Sequence, residues 1–191
     1  GIFQIANKEI RMINEITGIN PNNTIKSVCN EIIRKYQSHN TGMFIYGDAT
    51  ANKEDTKMEK GYNFYRLVLD YLQQYKPSLR VLSSNPSVAM RGNWINTVLE
   101  KEIGGIKIII DPSCKNAIND FMMLKEATDG SKSKELETNP KSKVRYQKLG
   151  HFSDIFDYIM CSAFQKEFID YQRGSVTFKP VYAKNRSKSS Y

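Results

Sequence analysis

The sequence predicts an α/β fold, a central mixed and mostly parallel sheet flanked by helices, on three observations. Short hydrophobic runs alternate along the chain with longer stretches whose apolar residues recur at helical spacing, the signature of strands joined by covering helices. At 191 residues, 40% hydrophobic and 25% charged, the chain suffices for one domain with a real core. Finally, three of the runs lead into a polar residue, Asp48, Asn85 and Asp111. In parallel sheets, sites form beyond the carboxyl ends of the strands, so these residues fall where chemistry would be built.

Taken in order, residues 7–16 and 24–36 are expected to be helical. Ile5, Ile10, Ile13 and Ile16 give a loose apolar stripe, and Asn23-Thr24 ahead of Ile25, Val28, Ile32 and Ile33 a firmer one. Gly18-Ile-Asn-Pro-Asn-Asn23 is the turn between them. Residues 1–40 are therefore read as a helical lead-in, residues 41–175 as the main domain and residues 176–191 as a basic tail, in which Val176 to Val181 is a possible edge strand.

Met43 to Tyr46 is the first strand of the main domain, ending just before Asp48, and Ala49 to Gly61 is a polar loop. Phe64, Leu67, Val68, Tyr71, Leu72 and Tyr75 place a helix over 62–75, which Pro77 stops. Leu79 to Leu82 is a second strand leading to Asn85-Pro86. A helix follows from about Val88 through Trp94, Ile95, Val98 and Leu99 to Gly104-Gly105. Ile106 to Ile110 is a third strand ending in Asp111-Pro112, and Cys114 to Met122 is helical.

Between Leu124 and Gly150 the composition turns basic, with Lys125, Lys132, Lys134, Lys141, Lys143, Arg145 and Lys148. Asp129-Gly130 accepts positive φ at both positions, so an accessory basic β-hairpin is predicted there. The last helix runs from His151 to Phe164 with Phe152, Ile155, Phe156, Ile159 and Ala163 on one face. Asp154 and Asp157 lie off that face, one turn apart, and Ser153 is the expected N-cap.

The net charge of +8 points to a polyanionic partner, of which nucleic acid is the commonest. Gly-x-x-x-x-Gly-Lys-Ser/Thr and Gly-x-Gly-x-x-Gly are both missing, which speaks against a P-loop and against a dinucleotide site. With two histidines, His39 and His151, and three scattered cysteines, the chain offers neither zinc spacing nor a disulfide framework, and a reducing compartment is expected. No apolar run is long enough to span a bilayer, so no membrane is expected among the partners. The first residue is Gly, not Met, so an excised piece of a longer protein is expected. Carboxylates at strand ends and a helix start, beside a basic surface, suit metal-dependent phosphodiester cleavage. Hard Mg²⁺ or Mn²⁺ ions take oxygen ligands, and a pair of them activates water and stabilises the leaving oxygen.

Five short pieces, in this order and spacing, carry a resemblance: Ile45-Tyr-Gly-Asp-Ala-Thr50; Asn85-Pro-Ser-Val-Ala-Met-Arg91 leading into Asn96; Ile110-Asp-Pro-Ser-Cys114; Asp129-Gly-Ser-Lys132; and His151-Phe-Ser-Asp154 running on to Tyr158. Together they resemble the C-terminal nuclease domain of the large terminase subunit of tailed bacteriophages, whose fold is ribonuclease H-like. The resemblance covers Met43 to Phe164. It implies an endonuclease that cuts viral double-stranded DNA during genome packaging in the host cytoplasm, with two Mg²⁺ or Mn²⁺ ions and little sequence preference. It further implies an upstream ATPase domain, a portal and a small terminase subunit as partners. Asp48 matches the metal-bridging carboxylate of the family's first strand, and Asp154 matches the aspartate that starts its last helix. The family's remaining carboxylate falls at Ser83-Ser-Asn85, which has none. Asn85 through its amide oxygen, Asp111 or Asp157 are the alternatives for that ligand.

Lys125, Lys132, Lys134, Lys141, Lys143 and Arg145 are the expected DNA contacts. Two other readings stand beside the nuclease: a non-catalytic basic module that binds DNA or a viral assembly partner, and a resolvase- or transposase-like nuclease on the same fold.

Overall fold

The structure, a computed structural model, describes residues 1–18, 21–53, 62–100, 103–128, 131–140 and 143–174. It is a mixed α/β arrangement in which small sheets are flanked by helices. The expected edge strand at 176–181 and Lys141 lie outside the described residues.

The chain opens with a hairpin, β1 (Ile2–Ala6) and β2 (Glu9–Asn14), which corrects the expected helix over 7–16. Asn7 and Lys8 both hold positive φ, 48° and 63°, as a two-residue hairpin turn of the type that matches strand twist requires. The period that matters is two, not 3.6: Ile10 and Met12 are fully buried while Arg11 between them is exposed. β2 pairs in parallel with β5 (Lys107–Ile110), giving a three-stranded mixed sheet in the order β1-β2-β5. The first residues are thus part of the sheet, and the helical lead-in is reduced to α1 (Ile25–Lys35). Thr24 caps α1 by accepting from the Ser27 amide, and Arg34 and Lys35 lie in its last turn.

A second, two-stranded parallel sheet joins β3 (Met43–Ile45) to β4 (Pro77–Leu79). β4 starts two residues before the expected strand. Pro77 is its first residue, a position where a missing amide is tolerated, and the chain reaches it through Lys76 at φ 49°. Between these strands, α2 (Phe64–Tyr71) and a single 3₁₀ turn (Gln73–Tyr75) pack on α1 around Cys29, Leu72 and Tyr75.

The main core lies elsewhere. Trp94, Ile95 and Val98 of α3 (Val88–Leu99) meet Ile10 and Met12 of β2 and Phe152, Phe156, Ile159 and Met160 of α5 (His151–Ala163). Phe156 is held edge-on by Phe3 and Phe121, and Phe168 of α6 (Gln165–Gln172) closes on Trp94. The cysteines are unpaired and buried.

Two carboxylates cap helices from a distance. Glu15, just past β2, accepts from the amides of Asn116 and Ala117 and so caps α4 (Lys115–Met123). Asp120, 4% exposed on α4, accepts from the amides of Phe152 and Ser153 and caps α5. Ser153 is therefore not the N-cap: Gly150 takes that place at φ 102°, and the Ser153 hydroxyl donates to the Gly150 carbonyl.

Between α4 and α5 run two small antiparallel ribbons. One is β6 (Lys125–Glu126) with β7 (Lys132–Ser133); the expected turn at Asp129-Gly130 lies outside the described residues. The other is β8 (Leu136–Thr138) with β9 (Arg145–Gln147). No helix among the described residues is long and apolar enough to cross a membrane.

Candidate functional site

Asp48 sits three residues beyond β3, in a tight cradle. Its Oδ1 accepts from the Thr50 amide, the Thr50 hydroxyl and the Asn85 side-chain amide, each at 2.7 Å, and its Oδ2 accepts from the Tyr158 phenol at 3.1 Å. Asn85 is held in turn by accepting from the Ala49 amide at 2.9 Å. The Tyr65 phenol donates to the Asp48 carbonyl, and passes so close to Gly47 that a Cβ there would collide with it. Burial pulls the Asp48 carboxyl upward, but the donors from Asn85, Thr50 and Tyr158 outweigh it and hold the pKa at about 2. Asp48 is therefore a carboxylate at any working pH.

α5 supplies the second set. Asp154, Asp157 and Tyr158 stand at i, i+3 and i+4, so all three project from one side of the helix. Asp157 is 2% exposed, and burial pushes its carboxyl up, although Lys132 and Arg91 pull the other way. The Lys132 ammonium donates to Asp157 Oδ2 at 2.6 Å, to Asp154 Oδ1 at 3.1 Å and to Ser153 Oγ at 3.1 Å. Lys134 pairs with Asp154 Oδ2. The guanidinium of Arg91 lies 4.7 Å from the centre of the Tyr158 ring, with its Nε 3.8 Å from Asp157 Oδ2. Nε and Nη1 of Arg91 are buried and make no hydrogen bond among the described residues, so the guanidinium is held by the ion pair and the ring.

The result is one continuous polar chain from Asp48 through Tyr158, Arg91, Asp157 and Lys132 to Asp154 and Lys134. It draws on the segment after β3, the first turn of α3, the β6-β7 ribbon and one face of α5, with Asn85 reaching Asp48 from the segment just before α3. Among the ligand candidates, Asp48 and Asn85 touch directly, while Asp154 and Asp157 share Lys132. Asp111 stands apart: its Oδ1 accepts from the Ser113 amide and hydroxyl, which closes the turn after β5 and lowers its pKa. No cluster of three or more histidine, cysteine, aspartate or glutamate side chains fit to hold a metal is found among the described residues.

The basic residues divide. Lys125, Lys143 and Arg145 are exposed, as a DNA contact requires. Lys132 and Lys134 are turned inward, 12% and 26% exposed at the side chain, onto Asp154 and Asp157. His151 holds the Gln147 carbonyl at 3.2 Å, at the entry to α5.

Tyr158 and Lys132 are the residues whose roles the sequence hid. Tyr158 has the right spacing from Asp154, yet a tyrosine on an amphipathic helix reads first as packing. Lys132 lies in a run of lysines that reads as a solvated surface. Comparison with protein-family models, with curated proteins and with solved structures finds no match to this chain.

Proposed function

We propose that this chain is a metal-dependent endodeoxyribonuclease of the terminase large-subunit kind, with a ribonuclease H-like fold, acting on double-stranded viral DNA. The observation that carries the reading is the hydrogen bond between Tyr158 and Asp48. It ties the strand-end carboxylate to the α5 face that bears Asp154 and Asp157, and the exposed Lys125 lines the same pocket as Asp157. Acidic oxygen donors from separate elements, on a chain that also carries exposed cations, are the parts that hydrolysis of a phosphodiester uses.

The donors fit Mg²⁺ or Mn²⁺ in kind. All are oxygens, and Asp48 is ionised throughout. Asp48 and Asp154 are the primary ligands in this reading, with Asn85 and Asp157 beside them. Asp111, engaged with Ser113, is the weakest candidate. When bound, such ions supply an activated water and neutralise the charge developing on the phosphate. Thr50 and Asn85 hold Asp48 in place, Tyr158 fixes its second oxygen, and Lys132 balances the charge of the α5 pair. The exposed cations hold the DNA backbone, which gives affinity without sequence preference. An ATPase domain upstream, a portal and a small terminase subunit would be the partners of such a nuclease in the host cytoplasm.

One observation favours a second reading, a DNA-binding module without catalysis: Asp154 and Asp157 already have cation partners in Lys132 and Lys134. Plasmid cleavage separates the two. The wild type is expected to nick and linearise plasmid with Mn²⁺ and not with EDTA, while Asp48→Ala and Asp154→Ala leave it intact. Equal behaviour of all three proteins would leave the binding module.

A further inference from the structure

Beside the carboxylates, α3, α4, α5 and the β6-β7 ribbon form a pocket of about 140 Å³ that is open to solvent on one side. Its inner end is formed by Lys132, Ser153 and Asp157, so it opens directly onto the polar chain of the site. Ala89 and Gly92 line it from α3, and a Cβ built at Gly92 meets nothing within 4 Å. Asn93 and Asn96, one turn apart on α3 and both exposed, line its open side, where their carboxamides are accessible to a ligand. Phe121 and Leu124 of α4 give it an apolar side.

The geometry points to a subsite for one unpaired nucleobase, of pyrimidine size, next to the phosphate that the carboxylates would act on. Volume selects the size: a cavity near 150 Å³ holds a single six-membered aromatic ring, whereas the second ring of a purine would project from it. Chemistry selects the class. Paired carboxamides offer donors and acceptors together, as the edge of a base demands, and the lining sets Lys125 and Lys132 against Glu126, Asp120 and Asp157, which suits a neutral ring better than an anion. A base stacked in a duplex cannot enter, so the ligand is a frayed, flipped or single-stranded nucleotide. This subsite rests on the nuclease reading for its biological use, although not for its binding test.

The test is fluorescence anisotropy of labelled deca-thymidylate and deca-adenylate in EDTA, with the wild type, Gly92→Leu and Asn96→Ala. Leucine at Gly92 enters open space, and leucine favours a helix over glycine, so the variant is expected to fold with an unchanged or higher melting temperature. The wild type is expected to bind the thymidylate at least threefold more tightly than the adenylate. Gly92→Leu abolishes that difference, and Asn96→Ala reduces it. If neither variant alters the ratio, the subsite is overturned, whatever the plasmid assay gives. If the ratio collapses as expected but no protein cuts plasmid, the nuclease reading fails and the base subsite stands.

Discussion

Tyr158 on α5 and Asp48 after β3 are 110 residues apart in sequence, and one hydrogen bond of 3.1 Å joins them. The same tyrosine ring carries the Arg91 guanidinium on its face. The phenol thus meets the anion of one element while the ring meets the cation of another, and neither contact substitutes for the other.

Tyr158→Phe separates them. It keeps the ring for Arg91 and removes the donor from Asp48, at a cost of about 1 kcal/mol for a partly solvated hydrogen bond to a charge. The Asp48 carboxyl is expected to titrate higher in the variant, as read by carbon-detected NMR titration. An unmoved Asp48 with a lower melting point would assign Tyr158 to packing alone.

Asp48 also makes stability depend on pH in a definable window. Its folded pKa, about 2, lies below the ordinary 3.8, so its stabilisation is complete above about 4 and is lost as pH falls toward 2. The linkage is about 2 kcal/mol at full strength, and solvent screening of this partly exposed group reduces it to about 1 kcal/mol. Denaturant unfolding between pH 2 and 5 is expected to show the wild type gaining that amount on Asp48→Asn as pH rises, and no further change above.

Asp157 behaves in the opposite sense, because burial raises its pKa. Stability is greatest where it is protonated and declines as pH rises through the folded pKa. Lys132→Met removes its main partner and is expected to destabilise by about 3 kcal/mol at pH 7, Arg91 remaining nearby. That loss shrinks at low pH, where Asp157 is neutral. Urea midpoints at pH 4 and pH 7 measure it; an equal loss at both would mean that Lys132 acts through packing.

Asp120→Ala removes the acceptor for the first amides of α5 and is expected to cost about 1–2 kcal/mol. Asp120→Asn retains an oxygen and recovers part of it. Thermal melts of the two variants are the comparison, and identical melts for alanine and wild type would refute the cap.

Much of this architecture was readable from the residues in order. Periodicity located α1, α3, α4 and α5, and short hydrophobic runs located β3 and β5. The β1-β2 hairpin was not, because Ile5, Ile10, Ile13 and Ile16 satisfy a loose helical spacing, while the turn at Asn7-Lys8 lacks the glycine that advertises a hairpin. The start of α5 was misread for a related reason: its cap comes from Asp120, more than thirty residues upstream, and no local pattern announces it. At the site, the strand-end rule picked Asp48 and Asn85, which do meet. It also picked Asp111, which obeys the same rule but turns to its own hydroxyl neighbour, Ser113. The inward turn of Lys132 and Lys134 depends on where the ribbon folds back onto α5, a tertiary fact without sequence signature.

The two separate cores have a consequence for how the molecule comes apart. Asp48 hangs from β3, whose Met43 and Ile45 rest on the minor cluster around Cys29, Leu72 and Tyr75, whereas Asp154 and Asp157 ride on α5 in the major one. The smaller cluster buries less and should open first, in a sub-global fluctuation that leaves α5 intact. Hydrogen exchange is expected to release the amides of β3 and α2 before those of α5. The two acidic halves would then part company well below the melting point, so that any cleavage by the proposed site would fade on warming before the fold does.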